Sequence, residues 1–468
     1  MLVERLIIYL FLFFCGGVIG AFLNWYVDRY GWIQRFRSPW RRHVRFKKVW
    51  CDFLPVFGWF FIRRFGDGAG KLSAGELVPG VGNKWFWVRP FLVELLFAVG
   101  VVGLYCWEVE LQNIFPEPEL QARNPESSAI TILRFVSHVI LFAFLLAASL
   151  TDLDDFIIPE NLIVFGTLVG ISLAVICPRI LLPVTELRIV NYQRSSNFVL
   201  TDYHVPLHFC SPDETTMLNN FRLQFEKDSS GKIANTTDSN NTSTYIKKSN
   251  KEFNQQFFVL VFLWFFWCFA MLDRVWYFRL SFPRACKIFF RKLIRSPTTK
   301  FWIFLSLFFP FVLYFVMLFT SFVGSENHLG LLTSLIGLVF GMWLIWLVRL
   351  LAGVALGVEA MGFGDVILLG MIGAFVGWQS CVVIFFCAPL CGILPSLIVL
   401  LTGRGRMIPY GPFICLAALI LVVFWSPIWR SLEPVLCQSS LQVAIGSQIL
   451  ILLAGAMLVG WRKIKKYF

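Results

Sequence analysis

The chain has 468 residues, of which 57% are hydrophobic, 17% aromatic and 15% charged, with a mean hydropathy of +0.71. Soluble chains carry roughly 25% charged residues, so this composition excludes a cytosolic enzyme, a secreted disulfide scaffold and a disordered chain, and predicts an all-α polytopic membrane protein. The net charge of +13 concentrates between apolar runs, with 13 Lys+Arg from Asn24 to Arg89, eight from Asp273 to Lys300, two at Arg404 and Arg406 and four after Trp461. That is the positive-inside pattern of cytoplasmic loops and speaks against a nucleic-acid partner.

Apolar runs occur at 6–23, 91–107, 131–150, 157–177, 257–272, 301–323 and 331–357, then at 366–378, 380–402, 411–427 and 444–461. They predict eleven transmembrane helices, the eighth shorter than the usual 17 to 25 residues or so. The first run is longer than a cleavable signal's apolar region and its positive charge follows it, so it reads as an anchor with the N-terminus outside. Threading from there puts 24–89, 273–300, 403–410 and the basic tail on the cytoplasmic face, and the acidic 108–130 outside. An even helix count would split the basic loops between two sides.

The expected organisation is an N-terminal helix pair at 1–107 enclosing a small basic, Trp-rich cytoplasmic loop domain at 24–89, then 131–177, then an insertion at 178–329, then 330–468. The insertion comprises an extracytoplasmic loop at 184–255, with an Asn-, Ser- and Thr-rich tract too polar to pack a core, and a helix pair at 257–323 around the basic 273–300. Twelve cysteines are scattered without metal-ligand spacing. Cys210 and Cys437 both fall in loops placed outside, which permits a disulfide without arguing for one.

A carboxylate in hydrocarbon costs about 2.5 to 3.5 kcal/mol on insertion scales, so acids in or at the ends of apolar runs are candidate functional groups. They are Glu94; Asp152, Asp154 and Asp155 at the end of the third run; and Glu359 and Asp365 between the seventh and eighth. The last two groups share the cytoplasmic face in the threaded topology. Two facing carboxylates can hold one proton between them, the ionised one activating water and the neutral one polarising a carbonyl, which is aspartyl-protease chemistry. The plainer reading of Asp154, Asp155 and Glu359 is solvated interfacial charge.

Asp365 follows Met361-Gly362-Phe363-Gly364. Two glycines permit irregular backbone through which a peptide could approach the carboxylate, but an N-cap aspartate after a glycine turn has the same residues, and both readings stand on composition. Gly370, Gly373 and Gly377 form a small-residue stripe for close helix packing. Arg349, inside the seventh run, either pairs with Glu359, tunes Asp365 or snorkels to the interface, the last being the simplest. His138 faces a neighbouring helix and has no assigned role.

Gly362-Phe363-Gly364-Asp365, continuing through Leu368-Leu369-Gly370 and Gly373-Ala374-Phe375-Val376-Gly377-Trp378, resembles the Gly-x-Gly-Asp region of the type IV prepilin peptidases, which are GxGD membrane aspartyl proteases. Asp152, seven residues before Pro159, is similar to the family's first catalytic aspartate. Gly20-Ala21-Phe22-Leu23-Asn24, Arg89-Pro90-Phe91-Leu92-Val93-Glu94 and Pro409-Tyr410-Gly411-Pro412-Phe413 resemble three further family signatures, in order. The resemblance implies catalytic roles for Asp152 and Asp365, site-shaping roles for Gly362, Gly364 and Pro159, no metal in proteolysis, and a prepilin or pseudopilin substrate cut at the cytoplasmic face of the bacterial inner membrane. It implies no such role for Asp154 and Asp155.

Many family members carry two Cys-x-x-Cys pairs in the first cytoplasmic loop, a zinc arrangement. Residues 24–89 contain only Cys51. In the family that loop accompanies N-methylation by S-adenosylmethionine, so no cofactor is expected for proteolysis and S-adenosylmethionine only if methyltransfer is retained. The alternatives are a transporter whose acids relay protons or ions, disfavoured because no repeated halves are found, and a catalytically silent pilus or secretion assembly factor, disfavoured because both aspartates are present.

Overall fold

The computed structural model describes residues 2–30, 54–62, 87–116, 127–177, 180–182, 325–356, 361–402 and 409–438, with isolated positions in 258–315 and 446–453. The main helices are α1 (Leu2–Tyr30), α2 (Gly58–Ile62), α3 (Val88–Tyr105, continued by a wider π-helical turn at Cys106–Glu110), α4 (Ser128–Asp155), α5 (Glu160–Ile176), α6 (Ser325–Leu356), α7 (Phe363–Val376), α8 (Trp378–Leu401), α9 (Gly411–Val423) and α10 (Trp425–Gln438).

Their breaks have local causes. Between α4 and α5, Phe156 adopts a left-handed conformation (φ 57°) and its N–H donates to the Asp152 carbonyl at 2.9 Å. The Ile158-Pro159 step keeps the next residues extended, because a residue before proline avoids helical backbone. Between α7 and α8, Gly377 takes φ 82°, accessible to glycine at little cost, and closes the turn on the Gly373 carbonyl at 2.9 Å.

Among the described residues, five stretches are long and apolar enough to cross a membrane: Val3–Arg29, Val88–Glu110, Ser128–Asp155, Thr333–Ala352 and Trp378–Val399. The protein is an all-helical, polytopic membrane protein. Helices α5 and α7, with 17 and 14 residues, extend only about 26 and 21 Å at 1.5 Å per residue, against a hydrocarbon core of about 30 Å. The run at 411–427 is not one straight span: α9 and α10 meet at an 85° bend, so together they make at most a sixth crossing. The runs at 257–272, 301–323 and 444–461, most of the 24–89 domain, the 184–255 loop, Glu359 and Cys210 lie largely or wholly outside the described residues, whereas Cys437, expected in a loop, lies in α10.

The glycine stripe on α7 meets a matching one on α6. A side chain on Gly337 or Gly373 would collide with the other's carbonyl, and one on Gly341 would come within 2.6 Å of the Leu369 carbonyl oxygen. Ser334 Oγ donates to the Ala374 carbonyl at 2.8 Å across the same seam. Backbone contact at residues 369–374 fixes how α7 lies against α6, and Asp365 stands one turn before it.

The two ends of the bundle carry different polar clusters. At one end Asn24 of α1 donates to the Pro90 carbonyl of α3, and Arg89 of α3 pairs with Asp154 of α4. At the other, Tyr9 donates to Glu110 Oε2 at 2.7 Å, Trp107 Nε1 donates to the Val423 carbonyl at 2.8 Å, and His138 Nδ1 lies 2.7 Å from Glu108 Oε1 with both side chains buried. The neighbour that the sequence left open for His138 is thus an acid on α3.

Candidate active site

Asp152 occupies the last turn of α4 and Asp365 the first turn of α7, both buried, at 6% and 7% exposure. They reach the same place because α4 ends where α7 begins, and both pack against α9. The two carboxylates lie within electrostatic reach of each other, and both within reach of Cys415 on α9. Ile158, in the extended link before Pro159, joins the elements: its side chain would be 3.1 Å from a Cβ on Gly364 and 3.1 Å from one on Gly411.

Each glycine has a distinct role. A side chain on Gly411 would collide with Asp152 Oδ2, so glycine lets the α9 N-terminus lie against that carboxylate without displacing it. Asp152 Oδ2 is buried without a hydrogen-bond partner of good geometry, although the Gly411 amide points toward the group. Gly364 is confined by Ile158. Gly362 is the N-cap of α7 at φ −67°, ψ 152°, and a Cβ there would sit an ordinary 3.6 Å from Asp365 Oδ2. Gly362 therefore supplies a nearby backbone amide to Asp365 and is not required by sterics. Pro159 is the N-cap of α5 and fixes the Ile158 link by its backbone restriction.

Arg349 sits with its guanidinium 5.7 Å from the centroid of the Phe363 ring and within electrostatic reach of Asp365. This placement agrees with the reading in which Arg349 tunes Asp365. Asp154 also departs from the solvated-charge expectation: its side chain is only 5% exposed and Oδ1 accepts from Arg89 Nη1 at 2.5 Å, tying the start of α3 to the end of α4.

Glu94 is buried and accepts three hydrogen bonds. Its Oε1 accepts from Asn24 Nδ2 at 3.0 Å and Trp59 Nε1 at 2.8 Å, and its Oε2 accepts from the Val56 amide at 2.7 Å. Asn24 also donates to the Pro90 carbonyl at 3.0 Å. A buried charge is tolerated only when its acceptors are satisfied, and here the donors come from α1 and the 54–62 segment.

A model of the Type IV leader peptidase family matches residues 289–397, a segment that contains Gly362, Gly364 and Asp365 but not Asp152. Among similar curated proteins are three named prepilin leader peptidase/N-methyltransferase. That of Pseudomonas aeruginosa is 36% identical over 112 residues, covering 22% of this chain and 39% of the relative. Those of Burkholderia pseudomallei and Aeromonas hydrophila are 30% identical over 105 residues and 31% identical over 111 residues, covering 33% and 38% of the relatives. No solved structure matches. The fold and site define a polytopic membrane protein with paired buried acids at one end of its bundle. Its resemblance to the type IV prepilin peptidase family is borne out by these matches, although the chain spans under two-fifths of the length of these relatives.

Proposed function

We propose that the protein is a membrane-embedded aspartic endopeptidase that removes the short basic leader of prepilin- or pseudopilin-like proteins at the cytoplasmic face. The observation that carries this reading is the convergence of Asp152 and Asp365, distant in sequence, on one buried site that Gly411 and Gly364 keep open. The acid pair carries one proton. Its ionised member takes a proton from a water molecule as the oxygen attacks the scissile carbonyl carbon, while its neutral member donates a proton to the carbonyl oxygen. The resulting gem-diol collapses as the amide nitrogen gains a proton and the C–N bond breaks. Arg349 stabilises charge at Asp365 and holds its position.

Prepilin processing in a bacterial strain lacking its own peptidase tests this, with mass spectrometry of the mature N-terminus. Wild type should cleave, and Asp152→Asn and Asp365→Asn should not. Cleavage by either variant overturns the assignment. The same mass reports N-methylation, which supplies a methyl group from S-adenosylmethionine only if this chain retains that second activity. The transporter reading gains nothing from the buried Glu108–His138 pair, because an apolar stretch of α3 and α4 separates it from the acid site among the described residues.

A further inference from the structure

A groove of about 670 Å³ runs between α3, α4 and α9. Its wall extends along α4 from Val139 to Leu153, about 21 Å at 1.5 Å per residue, so it follows much of the hydrocarbon thickness. One end is marked by Trp107 and Val423 and the other by Leu153 and Pro412, the neighbours of Asp152 and Gly411. Cys415, which lies within reach of both acids, also lines it, as does Ser149. The remaining lining is nearly all apolar, and rim residues such as Leu96 and Leu419 stay exposed at 68% and 41%.

Gly100 and Gly103 lie in the α3 wall, where a Cβ on either would meet nothing within 4 Å. Elsewhere in this bundle glycines are filled against partners, as Gly16 and Gly20 of α1 are against α3 and Gly337 is against α7. In membranes such small residues let another helix approach closely. Gly100 and Gly103 therefore form a helix-packing surface that no described helix uses.

We propose that this groove is the subsite for the apolar N-terminal helix of the substrate, which docks along α3 and α9 against Gly100 and Gly103. The inference rests on the peptidase reading above, and the occupant follows from continuity with the acid pair. A helix seated in the groove has its cytoplasmic end at Leu153 and Pro412, so the peptide bond just before it lies beside Asp152. The groove recognises helix surface and the acids recognise backbone, so clients can vary in sequence while the cut stays at a constant distance from the helix.

The test uses the full-length protein with a photo-crosslinking residue at Gly103 or Leu419 in the Asp365→Asn background, and a type IV prepilin carrying its leader and apolar helix. A control position is Phe165, exposed at 63% on α5. Crosslinks to prepilin from positions 103 and 419 and not from 165 are expected. In the otherwise wild-type chain, Gly100→Trp and Gly103→Trp should lower the processing rate about tenfold or more at unchanged protein level. Adducts only with lipid, with this chain's own segments or with a second copy would overturn the groove assignment, as would normal processing by both Trp variants. If wild type crosslinks prepilin in the groove but never cleaves it, the groove stands and the peptidase reading falls.

Discussion

Gly411 and Gly362 sit beside the two acids under different constraints, and that difference can be measured. Gly411→Ala places a methyl group against Asp152 Oδ2 with Ile158 Cδ1 also 3.1 Å away, an overpacking that typically costs about 1–3 kcal/mol. It should abolish or nearly abolish processing and lower thermal stability in detergent. Gly362→Ala has room and an ordinary φ, so it should keep most activity. Equal loss in both variants would show that the Gly362 requirement is dynamic. Asp154→Ala, expected from sequence to matter little, should reduce the rate by loosening the α3–α4 tie, and Arg89→Ala should reproduce its effect. If Asp154→Ala alone impairs processing, the ion pair is not the cause.

Among elements, the α6–α7 seam and the Glu94 junction are the two places where one residue governs how helices meet. Gly373→Leu cannot be relieved by a rotamer change because its neighbour is backbone. It should displace α7, and with it Asp365, which a lower melting temperature together with lost processing would register. Leu at Gly100 or Gly103, where space is open, should leave the melting temperature unchanged. Glu94→Ala leaves the Val56 amide, the Trp59 indole and Asn24 without their acceptor, each buried donor costing about 1–3 kcal/mol. Limited proteolysis should then cut near residues 54–62 faster than in wild type, while unchanged cleavage would mean that the segment is held by other contacts.

At the scale of the molecule, the two ends of the bundle should lie on opposite sides of the membrane, with the acid pair on the basic, cytoplasmic side. An impermeant thiol reagent applied to intact cells should label Leu111→Cys, beyond the π-helical turn of α3, and not Phe60→Cys in α2, in a background lacking other reactive thiols. The reverse pattern would place the acids outside and remove them from any leader peptide on the cytoplasmic face. The groove between α3, α4 and α9 joins the two ends, so a substrate held in the bilayer would reach the acids without leaving it.

Composition and motif spacing were enough to identify a helical membrane protein, the two acids, the Ile-Pro step and the small-residue stripe, because burial in lipid and backbone geometry are properties that residue types carry locally. The Gly-x-Gly-Asp motif marked the start of α7 to within a turn: the helix begins at Phe363 with Gly362 as its N-cap, so Gly364 and Asp365 lie inside the first turn and Asp365 is not the cap. What pairs with what was not local information. That Gly411 faces Asp152, that Ile158 bridges Gly364 and Gly411, that Glu94 collects donors from α1 and the 54–62 segment and that Asp154 is bound to Arg89 depend on segments brought together across long stretches of chain. The run at 411–427 looked like one span because hydropathy carries no record of direction, and only packing decided that α9 and α10 turn through 85°. Side-chain chemistry sets which groups can act, and tertiary contact sets which of them meet.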